Sequence, residues 1–84
     1  MAEAILEQIA ETLMKGRAPQ LKELVQQALD QKIGPEQILQ EGLIGGMSVI
    51  GERFKRNEVY VPEVLIAARA MNAAMEVLKP ELAS

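Results

Sequence analysis

Residues 45–71 read GGMSVIGERFKRNEVYVPEVLIAARAM, and their pattern is the strongest indication of the fold. Apolar residues in its first and last thirds recur every three or four positions, which places them on one face of an α-helix. Between these two periodic parts, residues 55–60 begin with four charged or polar side chains and predict a loop. The stretch therefore predicts two helices joined by a short connection.

The same periodicity extends outward from this stretch and predicts four helical segments. They cover residues 3–15, 19–33, 35–54 and 62–79. Gly16 suits the left-handed conformation that ends the first helix, and Pro19 suits the first turn of the second. Gly34 closes the second helix, Pro35 opens the third, and we expect Pro80 to stop the fourth. The fourth helix is predicted to bury a stripe formed by Val64, Leu65, Ala68, Met71, Met75 and Leu78.

The third segment is unusual because glycines interrupt it at positions 42, 45, 46 and 51. Each glycine inside a helix costs about 0.5–1 kcal/mol relative to alanine. Three explanations are open: a break in the helix, close packing against a neighbouring helix, or close approach of a ligand. The coarse prediction is a short helix to Glu41, an irregular turn, and then a longer helix.

The length and pattern together indicate the fold class. A chain of 84 residues forms one domain, and no segment alternates with the period of two that a β-strand shows. Four amphipathic helices with short connections predict an all-α fold, a four-helix bundle that occupies residues 1–84 as a single domain.

Composition excludes several classes of function. The chain has neither cysteine nor histidine, so it can form no disulfide, thiolate or histidine metal site and no histidine-based triad. We expect no catalytic and no metal-binding residues, and therefore not an enzyme. The net charge of −3 disfavours nucleic acid as a partner, and no apolar run is long enough to cross a membrane. The acidic N-terminus is unlike a secretory signal, so a cytoplasmic location is expected.

The most informative feature is an apolar tip around the predicted loop. Phe54 ends one helix, and Val61 and Val64 lie at the start of the next. Because the loop between the two helices is short, it leaves these side chains poorly covered. Exposed apolar groups of this kind mark a surface for a partner or a ligand. The basic run 53–56 beside them is either a solvated loop or an electrostatic contact for an acidic partner.

These residues resemble the helical cap domain of corrinoid (cobalamin-binding) methyltransfer proteins. That family includes the cap of cobalamin-dependent methionine synthase and the corrinoid proteins of methanol and methylamine methyltransferase systems. The matching motif reads Gly46-Met47, Gly51-Glu52-Arg53-Phe54, Tyr60-Val61-Pro62-Glu63-Val64 and Ala67-Ala68-Arg69-Ala70-Met71. Residues 34–35 and 43–44 also fit, so the resemblance covers nearly the whole chain.

The resemblance implies a methionine synthase cap-like bundle that covers the upper axial face of cobalamin, as methylcobalamin or cob(I)alamin, during methyl transfer from a methylated substrate. It implies that Phe54 and Val61 contact the cobalt-bound methyl group with Val64 nearby, and Gly46 and Met47 of the same motif are also expected to bind the cofactor. Cobalamin itself is expected to be held by a Rossmann-like domain with an Asp-x-His-x-x-Gly motif, which residues 1–84 do not contain. That domain and a cognate methyltransferase are the expected partners, and residues 81–84 resemble the start of an interdomain linker.

Two alternatives remain open at this point. The apolar tip also suits a cofactor-free interaction bundle or a homodimer. A cobalamin-responsive transcription regulator uses a related bundle, but as a family those bundles carry a tryptophan and a Glu-His pair, and this chain has neither tryptophan nor histidine.

Overall fold

The fold confirms the all-α prediction. A computed structural model describes residues 2–83, and its secondary structure within that range is entirely helical, without a strand. The elements are α1 (Ala2–Met14), α2 (Ala18–Asp30), α3 (Pro35–Gln37), a π-helical segment (Ile38–Ile44), α4 (Gly45–Lys55) and α5 (Val61–Ala83). Because α3, the π-helical segment and α4 follow one another without a gap, they form one rod, and the molecule is a bundle of four rods.

The four rods surround one core. Helix α1 packs against α2 and the third rod, and α5 packs against α2 and α4, so each rod has two neighbours. Short connections make successive rods antiparallel. The end of α1, the start of α2, the end of α4 and the start of α5 therefore meet at one end of the bundle. The largest fully buried side chains are Ile9, Leu13, Leu21, Val25, Ile38, Leu43 and Leu78.

Helices α1, α2 and α4 end with the same hydrogen-bond pattern, in which a residue of positive φ follows the helix. At the end of α1 this residue is Gly16 (φ 71°), as predicted. At the end of α2 it is Lys32 (φ 67°), whereas Gly34 has φ −60° and precedes α3. The prediction that Gly34 closes α2 is therefore wrong; the chain turns two residues earlier, where the amide of Ile33 donates to the carbonyl of Ala28 at 3.1 Å.

The predicted irregular turn after Glu41 does not occur. The third rod instead widens into a π-helix over Ile38–Ile44 and continues directly into α4. Two of its four glycines, Gly42 and Gly46, serve close packing, one of the three explanations left open. A Cβ on Gly42 would lie 2.9 Å from Cγ2 of Ile9, and one on Gly46 would lie 2.6 Å from Cδ2 of Leu13, so α1 approaches the rod where these side chains are missing.

We expected Pro80 to stop the last helix, but α5 continues through it to Ala83. Proline removes one backbone hydrogen bond, here within the last turns of the helix, where few bonds remain to be lost. Leu82 is half-buried and packs against the core, which holds this last turn in place. Residues 81–83 therefore belong to α5, and Ser84 lies outside the described residues. That these residues begin an interdomain linker stays a prediction.

The buried face of α5 also differs from the predicted stripe. Its buried residues are Ala67, Ala70, Ala74 and Leu78. Leu65, which the prediction placed in the core, is 56% exposed. Alanines at this spacing allow α5 to pack closely against α2, and the helix is thereby rotated so that the larger aliphatic side chains of its first two turns face outward.

Candidate functional site

The candidate site is a set of apolar residues at the end of the bundle where the end of α4 and the start of α5 meet. Phe54 is 45% exposed and Val61 is 54% exposed, while Val64 is half-buried. Val61, Val64 and Leu65 share one face of α5 because they are spaced three and four residues apart. We call Phe54, Val61, Val64 and Leu65 the apolar end.

The last turn of α4 determines where Phe54 lies. The amide of Asn57 donates to the carbonyl of Phe54 at 3.1 Å, and the amide of Glu58 donates to that of Arg53 at 2.8 Å. Asn57 takes φ 62°, which asparagine tolerates better than most residues. Val59 is buried and anchors the loop. The connection is therefore ordered on both sides, although most of its side chains are exposed.

The start of α5 determines where Val61 lies. The amide of Tyr60 donates to Oε1 of Glu63 at 2.9 Å, and the carbonyl of Tyr60 accepts from the amides of Glu63 and Val64 at 2.9 and 3.3 Å. This is half of a capping box, in which a glutamate at the third helical position bonds back to the residue before the helix. Pro62 lacks an amide proton and has a fixed φ, which suits the first turn. Val61 is thus held by its backbone.

Gly46 and Met47, the other two predicted cofactor-binding residues, lie outside the apolar end and closer to the core. Gly46 is buried against Ala10 and Leu13 of α1, which supplies a packing reason for this glycine. Met47 is half-buried and packs against the core. Met47, Gly51 and Phe54 nevertheless share one flank of α4, because they are spaced four and three residues apart. A cofactor contact by Gly46 or Met47 stays a prediction.

Sequence reasoning missed part of the exposed apolar surface. Leu65 and Tyr60 (70% exposed) add to it, and neither was predicted as a site residue. Ile66 is 48% exposed but lies on another flank of α5, against Gly16 at the end of α1. The alanines at 67, 70 and 74 were the available signal: their spacing marks the buried face and places Leu65 outside it. The predicted stripe follows helical spacing and contains mostly large apolar residues, which places Leu65 in the core instead.

Charged groups border the apolar end. A groove of about 470 Å³ runs along the outer side of α4 and is lined by Ser48, Val49, Glu52, Arg53, Arg56 and Glu58. Arg56 pairs with Glu52 at 4.0 Å, and both side chains are largely exposed. An exposed pair of this kind contributes little to stability. The basic run 53–56 is therefore solvated and remains available to an acidic partner.

The described residues contain neither a metal-binding cluster nor a membrane-spanning helix. Residues 2–83 contain no group of three or more carboxylates, histidines or cysteines that could hold a metal ion. None of the helices within that range has the length and apolar character needed to cross a membrane. What the site presents is an apolar contact surface with charged edges.

Comparisons with known proteins identify the family of the chain. The model of a family described as "B12 binding domain" matches residues 5–79. Monomethylamine corrinoid protein 1 of Methanosarcina acetivorans is 48% identical over 60 residues, which are 71% of this chain and 28% of that protein. Monomethylamine corrinoid protein 2 of the same organism is 37% identical over 78 residues, 93% of this chain and 36% of that protein.

A solved structure is also similar. The Methanosarcina barkeri monomethylamine corrinoid protein superposes with a TM-score of 0.93 and 29% identity, over 98% of this chain and 39% of that one. The chain thus spans between about a quarter and two fifths of the length of these relatives. Because the family match covers most of the chain and the fold agrees throughout, the chain belongs to the family of helical B12 binding domains.

Proposed function

We propose that the chain is the cap module of a corrinoid protein and covers the upper axial face of cobalamin that another domain holds. The observation that carries this proposal is the apolar end, where Phe54 and Val61 are about half exposed although nothing in the fold requires it. Membership of the B12 binding domain family supplies the ligand class.

The residues of the apolar end fit a covering role better than a ligating one. An apolar side chain can exclude water from a cobalt-bound carbon, and it offers no lone pair to the metal. The chain has no histidine with which to ligate cobalt, so a protein ligand would have to come from another domain. Cobalamin would supply the methyl-carrying cobalt, and this chain would supply the apolar cover above it.

The energetics favour a cap over an independent receptor. Full burial of one Phe and two Val side chains contributes roughly 1.5–3 kcal/mol each. Association of free partners costs an estimated ~4–15 kcal/mol, so the chain alone would bind free cobalamin weakly or undetectably. Covalent linkage to the cofactor domain raises the effective concentration and makes the same contacts sufficient. Weak contacts also allow the cap to leave when a methyl donor or acceptor approaches.

The remaining parts of the proposal follow from this role. The partners are a Rossmann-like cobalamin-binding domain and a cognate methyltransferase. The chain itself covers the cofactor and does not catalyse the methyl transfer. The names of its relatives point to methylamines as one class of methyl donor for such systems. A cytoplasmic location stays a prediction.

The test uses a chimaera in which this chain replaces the matching part of the M. barkeri monomethylamine corrinoid protein. The chimaera is loaded with methylcobalamin, and the rate at which light cleaves the cobalt–carbon bond is compared between the parent and Phe54→Ala. We expect faster photolysis in the variant because the smaller side chain admits water and oxygen. An unchanged rate would contradict the capping role.

Self-association is a second candidate function, and the exposure of Val61 and Leu65 favours it. Both side chains are more than half exposed and lie one turn apart on α5, so a second copy could bury them. Sedimentation equilibrium of the isolated chain at several concentrations tests this. A monomer throughout the range would remove self-association and leave the capping role unaffected.

A further inference from the structure

Gly51 is the one glycine within α4 at which an added Cβ would contact nothing. Gly46 lies against α1. A Cβ on Gly45 would lie 3.7 Å from the carbonyl oxygen of Gln40, an ordinary van der Waals contact. A Cβ on Gly51 would meet nothing within 4 Å, and the residue is exposed. Its φ lies outside the left-handed range, so its backbone conformation suits any residue.

This glycine therefore weakens the helix with no compensating contact inside the described chain. An alanine at an exposed position inside a helix is more favourable than glycine by an amount that changes the unfolding equilibrium about four- to fivefold. A side chain could be added at Gly51 without a clash, so the advantage of glycine must lie in something that approaches from outside.

The location of Gly51 indicates what approaches. It lies three residues before Phe54 and four after Met47, on the same flank of α4. Phe54 provides a half-exposed aromatic ring there, and Met47 is half-buried. Because glycine has no side chain, the backbone between these two apolar side chains is uncovered. A broad, flat ligand could therefore contact the backbone there, next to the Phe54 ring.

We infer that Gly51 determines how closely α4 approaches the corrin macrocycle, so that it is a specificity-determining residue of the cap. This inference rests on the proposed function, since it assigns the absent side chain to the same ligand. It separates the glycines of the third rod into two roles: Gly42 and Gly46 admit α1, and Gly51 admits the cofactor.

The test compares two quantities that should change in opposite directions. In Gly51→Ala, the unfolding equilibrium constant of the isolated, cofactor-free chain should fall about four- to fivefold, measured by urea denaturation. In the methylcobalamin-loaded chimaera described above, the same variant should speed photolysis about fivefold or more, because the added methyl group overpacks the contact. Gly51→Leu should speed it further.

Val49→Ile is the matched control. It also adds one carbon to α4, but on a different flank, at a residue that is 39% exposed. It should leave photolysis unchanged. If Gly51→Ala stabilises the chain without affecting photolysis while Phe54→Ala still accelerates it, the inference about Gly51 is wrong and the capping role stands. If neither variant affects photolysis, the proposed function itself fails.

Discussion

The backbone amide of Tyr60 donates a hydrogen bond to Oε1 of Glu63 at 2.9 Å, and this contact fixes the first turn of α5. Val61 lies between the two residues and is more than half exposed, so few side-chain contacts hold it. The position of Val61 at the start of α5 therefore depends on a hydrogen bond made by a neighbouring side chain.

Replacement of Glu63 tests this dependence. We expect Glu63→Ala to cost about 0.5–2 kcal/mol of stability, as the loss of a helix cap does, and to speed hydrogen exchange at the Tyr60 amide. Glu63→Gln should retain most of both, because glutamine also accepts this bond. Glu58→Ala removes a neighbouring exposed carboxylate without a side-chain hydrogen bond among the described residues and serves as the control. Equal effects of the three variants would contradict the assignment.

The close approach of α1 to the third rod gives a second prediction. Gly46→Ala should destabilise the chain by about 1–2 kcal/mol, since its Cβ would lie 2.6 Å from Cδ2 of Leu13 and 3.0 Å from the carbonyl oxygen of Ala10. Urea denaturation measures the difference. A gain in stability, as expected of an exposed helical glycine, would show that α1 does not approach so closely.

The left-handed conformation of Lys32 gives a third prediction. Lysine has no advantage at φ 67°. Lys32→Gly should therefore stabilise the chain by about 0.5–1 kcal/mol, because the relief of backbone strain outweighs the larger entropy that glycine loses on folding. Gln31→Gly, one residue earlier at φ −81°, should instead destabilise it. Thermal melts of both variants provide the comparison, and the same sign for both would contradict the prediction.

Local rules predicted the features that depend on a few neighbouring residues. The end of α1 at Gly16 follows from the conformational freedom of glycine, and the loop before α5 follows from its polar run and Pro62. The positions of Phe54 and Val61 on either side of this loop were predictable for the same reason, and both are exposed as an apolar tip requires.

Features that depend on contacts between helices were not predictable in this way. The π-helical segment replaces the expected turn where Gly42 lies against Ile9 of another helix. Helix α5 continues through Pro80 where Leu82 packs against the core. Leu65 is exposed because the alanines of α5 occupy the interface with its neighbours, and a pattern of large apolar residues does not reveal that choice.

The capping role is tested most directly by methyl NMR of the valines in the chimaera. A conjugated macrocycle shifts the resonances of nuclei held above its plane. Loading with methylcobalamin should therefore shift the methyl signals of Val61 and Val64, while those of Val49 on the outer side of α4 stay in place. If cobalamin is bound and the signals of Val61 and Val64 do not move, the apolar end does not cover the cofactor, and the central claim is wrong.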